Sequence, residues 1–422
     1  MRKDVVITGM GCITPLGDNP ETLWQNILAG KSGVAPITLF DCSELKTQFA
    51  AEIKNFDAVA HLGRETRRMD RFAQFAVVCA RQALQNSGLV VTAENRDRIG
   101  AVIGSGIGGV HTLTEQFRIM SERGPSRVSA FLVPMMIPDS AGAYIAIDLG
   151  IRGPNMAIST ACATGTNTIG EAAELIRRGH ADVVFAGGAE AAIVPLAMSG
   201  LINVGALSAE NADPQGASRP FDLTRSGFVI GEGAAVLVLE SLEHAQARNA
   251  SILAVVSGYG ITNDAFHISA PSEDGEGAVR CMRMAIEDSG LPATSIGYIN
   301  AHGTSTPLND KTETAAIKQV FGQSAYDIPV SSTKSMLGHL MGASGSVEAV
   351  ICVQALRDGI APPTINYHTP DPACDLDYVP NQARPIANLE HIMSNSFGFG
   401  GHNGTIILSK PGAAQNDQRV SP

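Results

Sequence analysis

The chain has 422 residues, of which 44% are hydrophobic and 17% charged, a balance expected of a soluble globular protein with ample material for a core. An excess of acidic over basic side chains leaves a formal net charge of -11, which disfavours general nucleic-acid binding. No apolar run approaches the ~20 residues of a membrane span.

The first residues, Met1-Arg2-Lys3-Asp4, run straight into the apolar Val5-Val6-Ile7. This shows no signal-peptide pattern, and the expectation is a cytoplasmic protein without membrane contact. Short apolar runs then alternate with stretches of helical periodicity, which predicts an α/β fold with buried strands. A strand over 4–8 is followed by a helix over 72–87 and a strand over 99–103. The latter leads into Gly104-Ser105-Gly106-Ile107-Gly108-Gly109. Further strands are expected at 155–160, 182–186, 253–258, 296–300, 328–331 and 405–409, with helices at 165–178, 275–288, 311–319 and 345–357.

A strand-glycine-helix unit recurs. Asn155–Cys162 runs into Gly165 and a helix that ends at Gly179, and Ile328–Ser332 leads to Gly342-Ala343-Ser344-Gly345 and a helix ending near Gly359. Ala235–Glu240 is a counterpart of the last strand. The echo predicts two similar halves sharing one core, 1–250 and 251–412, with a polar tail at 413–422.

The seven cysteines are scattered, odd in number and contain no C-x-x-C pair. That pattern points to reduced thiols rather than a disulfide frame or a zinc site. Cys162 stands where a strand meets a helix, a position where unpaired N–H groups and the helix dipole lower a thiol pKa. Two histidines also sit in small-residue stretches at strand ends, His302 before Gly303-Thr304-Ser305-Thr306 and His339 after Gly338. A thiol with two imidazoles suits a covalent thioester carrier beside groups that stabilise developing negative charge. On the residues alone the other reading also stands, a buried cysteine in a tight turn and two structural histidines. The remaining histidines show no metal-ligand spacing, so no metal is expected.

The motifs around these residues resemble those of the β-ketoacyl-acyl-carrier-protein synthases of the elongating type, most like synthase II. Thr160-Ala161-Cys162 is similar to the family's nucleophile motif, and His302-Gly303-Thr304-Ser305-Thr306-Pro307 to its first histidine motif. Lys334-Ser335-Met336-Leu337-Gly338-His339, continuing to Gly345 with Glu348 beyond, matches the lysine and second-histidine motif. Arg219-Pro220-Phe221-Asp222, Arg225-Ser226-Gly227-Phe228 and Gly231-Glu232-Gly233 form another matching block. Asn395-Ser396-Phe397-Gly398-Phe399-Gly400-Gly401 matches the terminal loop. The likeness spans roughly residues 3 to 410, in family order.

The resemblance implies a thiolase-like fold, two duplicated α/β halves packed as a layered α-β-α-β-α core, and a homodimer. Cys162 would take an acyl chain from acyl-carrier protein, and His302 and His339 would stabilise the enolate formed when malonyl-carrier protein loses CO₂. The N–H groups of Cys162 and Phe399 would form an oxyanion hole. Lys334 and Glu348 would support the histidines, with Glu348 and Phe397 counted at the substrate site. Thr304 and Thr306 would bond the pantetheine arm, or serve only to satisfy turn backbone groups. Phe399 would gate the acyl pocket, and Ile107 would limit its depth across the dimer interface. No free cofactor is implied, because phosphopantetheine arrives on the carrier protein.

Arg64, Arg67, Arg68 and Arg71 make a basic cluster in an acidic protein, read either as a carrier-protein dock or as a solvated helix face; Arg127 resembles a further docking position. The Gly104–Gly109 stretch satisfies G-x-G-x-x-G but lacks the acidic residue a dinucleotide site needs, and is read as close packing. Asn309, Asp139 and His402 depart from frequent family residues. The competing functions are a ketosynthase of a dissociated polyketide pathway, a non-catalytic partner subunit and a cysteine hydrolase.

Overall fold

The computed structural model describes residues 3–413; the tail expected at 413–422 lies, beyond Ala413, outside the described residues. Ten strands build the main sheet: β1 (Val5–Ile13), β2 (Ile99–Gly104), β3 (Asn155–Met156), β4 (Val183–Glu190), β5 (Gly233–Ser241), β6 (Ala254–Asn263), β7 (Tyr298–Asn300), β8 (Val330–Ser331), β9 (His391–Gly398) and β10 (His402–Ser409). Their spatial order is 8-7-9-10-6-1-5-4-2-3. Adding five to each label of the run 3-2-4-5-1 produces the other run, 8-7-9-10-6. The two sets meet where β1 and β6 pair antiparallel, Val6 opposite Val255 and Ile7 opposite Ala254.

Strands β1, β4 and β5 are buried along their whole length, which is why they read as continuous apolar runs rather than alternating ones. Helices cover both faces. On the outside, α1 (Arg71–Ser87) packs on β1 and β5, and α5 (Glu276–Ser289) packs on β6 and β10. Between the two strand sets lie α4 (Thr164–Arg177) and α7 (Ser344–Asp358), each touching strands of both. Helix α3 (Ser140–Leu149) packs on α1 and α6 (Pro307–Phe321) on α5, while α2 (Val110–Arg123) lies between β2 and β3 in the chain. This is the thiolase-like layering that the sequence motifs imply.

Three expectations shift. The strand expected at 155–160 pairs only over Asn155–Met156. The chain then leaves the sheet and turns toward Cys162, with the Thr160 N–H donating to Thr164 Oγ1 at 2.8 Å. Strand β9 had no sequence signal, because Ser394, Asn395 and Ser396 interrupt its apolar pattern. All three are buried and hydrogen-bonded, to Asn300 Nδ2, Thr405 Oγ1 and Thr166 Oγ1 respectively. Helices α2 and α3 were also missed. The extra length of β5, by contrast, extends the run already suspected at Ala235–Glu240.

The two central helices approach through glycine. A Cβ on Gly165 would stand 2.5 Å from Ser346 N, and one on Gly345 would stand 2.6 Å from Thr166 N. Further along α4, a Cβ on Gly170 would meet the Tyr259 ring of β6 at 2.3 Å. Alanine in a helix interior is normally worth ~1 kcal/mol over glycine, but overpacking of this kind costs about 1–3 kcal/mol. Gly170→Ala is therefore expected to destabilise the fold in denaturant titration. Combining it with Tyr259→Leu should lose less than the sum of the two single losses, because the clash has one partner.

Candidate active site

Cys162 lies in a single 3-10 turn, Ala161–Ala163, that feeds directly into α4. The turn is tight, with Ala161 at φ +49°. His302 follows β7 by two residues, and His339 follows the short helix Lys334–Leu337. Phe399 occupies the turn between β9 and β10. These segments converge so that Cys162 Sγ and a ring nitrogen of each histidine all lie within 4.8 Å of one another. The imidazoles stand edge to face, 5.4 Å between centroids.

The three residues border one cavity of about 280 Å³ together with Thr304, Thr306, Phe397, Phe399, Phe228 and Met341. Of the sequence-predicted residues, Lys334 and Glu348 sit behind this cavity rather than on it. They form a fully buried ion pair, Nζ to Oε1 2.5 Å. Glu348 thus belongs to the support of the site and not to its lining. Thr304 and Thr306 hydroxyls are 3.0 Å apart, one buried and one half-buried. Ile107 is outside the cavity lining and 39% exposed.

Close approach fixes the nucleophile. A Cβ on Gly398 would be 2.9 Å from Cys162 N, so the β9–β10 turn presses on the nucleophile turn, and the Phe399 N–H reaches the sulfur. The His302 backbone is clamped from α6: Glu313 accepts the N–H groups of His302 and Gly303, both at 2.8 Å. His339 Nδ1 bonds Ser344 Oγ at 2.9 Å, at the start of α7. His302 Nδ1 and His339 Nε2 are buried with no partner. Unpaired buried nitrogens are costly, and both rings border the cavity.

The electrostatics revise one expectation. Burial pushes the Cys162 thiol up to about 11, against the pull of the Phe399 N–H and the Lys334 charge. A helix N-terminus supplies at most ~2 kcal/mol in such a setting, too little to bring this thiol to neutral pH. The resting form is therefore the thiol, not the thiolate that the junction position suggested. Burial, reinforced by Lys334, also lowers both imidazoles well below their ordinary range, so both are neutral. Burial raises Glu313 to about 7 and also raises Glu348.

Of the basic cluster, Arg64, Arg67 and Arg68 are exposed in the 3-10 helix Gly63–Arg68, and Arg68 stacks over Phe131, 4.9 Å from its centroid. Arg71 leaves the group: it bonds Glu232 at 2.7 Å and Ile53 O at 3.0 Å as a tie of the fold. Arg127 is exposed. Among the departures, Asn309 Nδ2 donates to Asp310, Asp139 precedes α3 without capping it, and His402 starts β10.

The Gly104–Gly109 loop does open a helix, α2, yet it has no room for a dinucleotide. A Cβ on Gly104 would be 2.3 Å from Thr164 Cγ2 and one on Gly109 2.4 Å from Met135 O. Its N–H groups at 106 and 107 already bond a buried carboxyl group, that of Glu190. Glu190, Glu313 and Ser344 are site residues that sequence reading missed. The available signal for Glu190 was a single carboxylate ending the apolar run that begins at Val183.

Comparison with known proteins agrees with this geometry. Residues 2–245 match the β-ketoacyl synthase N-terminal domain and residues 253–368 the C-terminal domain. A 3-oxoacyl-[acyl-carrier-protein] synthase 2 of Synechocystis is 52% identical over 97% of this chain and 98% of its own length. A synthase 2 of Coxiella burnetii is 48% identical over 97% and 99%. Among solved structures, a type II polyketide ketosynthase in complex with its acyl-carrier protein superposes with a TM-score of 0.89 at 35% identity, covering 97% of this chain and 100% of that one. The chain belongs to the β-ketoacyl synthase family, and it is a condensing acyltransferase.

A neutral resting thiol has a kinetic signature. The rate of Cys162 carboxamidomethylation by iodoacetamide, followed by intact mass, is expected to keep rising above about pH 9, where an ordinary thiol with a pKa near 8.5 levels off. A plateau in the neutral range would show a thiolate stabilised beyond what these contacts supply.

Proposed function

We propose that this chain elongates acyl chains in fatty-acid synthesis by decarboxylative Claisen condensation. The observation that carries the reading is the Cys162 sulfur within 4.8 Å of two neutral imidazoles, each with an unpartnered buried nitrogen. In the first half-reaction Cys162 Sγ attacks the thioester carbonyl of an acyl-carrier protein. The thiol proton ends on the departing pantetheine sulfur, and a neutral imidazole can relay it. In the second, malonyl-carrier protein loses CO₂, and the electron pair enters an enolate whose oxygen lies against the two imidazoles. The enolate carbon attacks the acyl thioester, the carbon–sulfur bond to Cys162 breaks, and one proton restores the thiol. Donors already aimed at the place where charge develops lower such a barrier without reorganisation.

The N–H groups of Cys162 and Phe399 supply the oxyanion hole in this reading. Burial, reinforced by the Lys334 charge, keeps both imidazoles unprotonated, and Glu348 holds Lys334 in place behind them. Thr304 and Thr306, in the cavity wall, would meet the pantetheine arm, which brings the only prosthetic group the reaction uses. Exposed Arg64, Arg67, Arg68 and Arg127 suit an acidic carrier protein that must approach an acidic enzyme. The halves divide between β5 and β6, near residue 250.

A homodimer fits the surface. Leu113, Phe117 and Met120 on α2 are exposed, Phe117 by 64%, as are Val133, Ile147 and Met156. The edge strand β3 carries Met156. A patch of this kind marks an interaction surface, and Ile107 would then limit the acyl pocket across it. No helix among the described residues is long and apolar enough to cross a membrane, and a cytoplasmic location is the reading proposed for a reaction on carrier-borne substrates.

A dissociated polyketide ketosynthase is the second reading, favoured by the structural neighbour just described, although identity to the synthases 2 is higher. Intact-protein mass after acyl-carrier proteins of several chain lengths, then malonyl-carrier protein, separates them. Saturated chains that load Cys162 and leave as β-ketoacyl products two carbons longer support the fatty-acid reading. Loading of polyketide chains alone supports the second, and release of free acid alone indicates a hydrolase.

Two variants sharpen the test. Cys162→Ala is expected to abolish the acyl adduct while leaving the far-ultraviolet circular dichroism unchanged. Phe399→Ala is expected to uncouple acylation from malonyl binding, seen as a lower condensation rate on pre-acylated enzyme. Equal rates with both substrates would remove Phe399 from a gating role.

A further inference from the structure

One buried carboxylate lies outside the catalytic cavity and touches two loops that border the site. Glu190, the last residue of β4, is 0% exposed. It accepts from Ser105 Oγ at 2.8 Å, Gly106 N at 2.8 Å and Ile107 N at 3.2 Å. Its fourth donor, Gly342 N at 3.0 Å, comes from the other half of the chain. The fit leaves no slack. A Cβ on Gly106 would stand 2.8 Å from Glu190 Oε2, and one on Gly342 would be 2.9 Å from the same oxygen and 2.3 Å from Gly106 N.

Backbone N–H groups in a glycine loop form a concave anion site, and here a carboxyl group of the protein fills it, its pKa raised by burial against the pull of these donors. The first loop carries Ile107, and its Gly106 carbonyl accepts from Ser159 Oγ, three residues before the nucleophile. The second runs from His339 to Gly342 and includes Met341, a cavity residue at φ +47°. Ser105 Oγ braces the first loop again by accepting Gly108 N at 2.9 Å.

We propose that Glu190 is a positioning residue that locks the Ile107 loop to the His339–Gly342 loop, so that acceptance of long acyl chains and the geometry around Cys162 are set together. The inference rests on the condensing-enzyme reading and deepens it by assigning chain-length control to a residue no chain touches. Its charge also bears on the nucleophile. Cys162 is faced by Lys334, which pulls its pKa down, by Glu190, which pushes it up, and by the neutral His302 and His339.

Glu190→Gln replaces one acceptor oxygen by a donor facing N–H groups and removes the charge. The rates at which long and short acyl-carrier proteins load Cys162, read by intact mass, are compared with the wild type. The long-to-short ratio is expected to fall by about tenfold, since only long chains need the ordered loop and hydrophobic contacts of this size discriminate by 10–200-fold. The pH profile of Cys162 alkylation is expected to move down, because the Glu190 charge holds the thiol pKa up.

Ser105→Ala is the second variant, because it loosens the same loop, keeps the charge and disturbs a smaller volume. It should lower the ratio in the same direction without moving the alkylation profile. An unchanged ratio in either folded variant overturns the proposal, since a carboxylate that only stabilised the fold would alter melting and not discrimination. Failure of the wild type to load any chain would instead sink the condensing reading. The alkylation profile, which needs no acyl donor, would then still decide whether Glu190 acts on Cys162.

Discussion

The site depends on how closely α4 and α7 approach at their N-termini. Gly165 and Gly345 lie where any side chain would collide with the backbone of the other helix, so the two start points come together in the middle of the molecule. Cys162 lies two residues before the start of α4, and His339 is tied to Ser344, the first residue of α7. The distance between nucleophile and imidazole is therefore set by helix packing. A closely packed interior transmits such constraints with little give.

Electrostatics at this centre are governed by desolvation more than by pairing. Lys334 and Glu348 pair out of contact with water, at a desolvation cost comparable to the gain. Glu348 fixes the Lys334 ammonium behind the two imidazoles, and burial, reinforced by that ammonium, keeps them unprotonated. Neutral imidazoles can donate to an enolate oxygen without adding a charge of their own.

The repeated strand order gives the two halves different tasks on the same scaffold. In one, the loop after β2 holds glycines whose N–H groups close on Glu190; in the other, the segment after β7 carries His302, with its backbone held by Glu313. Both devices use a buried carboxylate to order a loop. The carboxylates come from different elements, one from a strand end and one from α6.

The α/β class, the position of Cys162 just ahead of a helix and the repeated glycine-helix unit were legible in the order of residue types, because periodicity and glycine placement are local properties. The motifs around Cys162, His302, His339 and Lys334 carried the family resemblance for the same reason. Strand β9 was not legible, since Ser394, Asn395 and Ser396 look polar until partners from β7, β10 and α4 satisfy them. Nor was the role of Arg71, which left the basic cluster only because Glu232, distant in sequence, lies beside it. Glu190 looked like the end of a strand, and its four donors come from two loops, one of them in the other half. The sequence by itself determined which chemical groups are present and which local turns present them. Tertiary packing alone decided that they meet, how far the thiol is buried and hence its protonation, because desolvation depends on everything that surrounds a group.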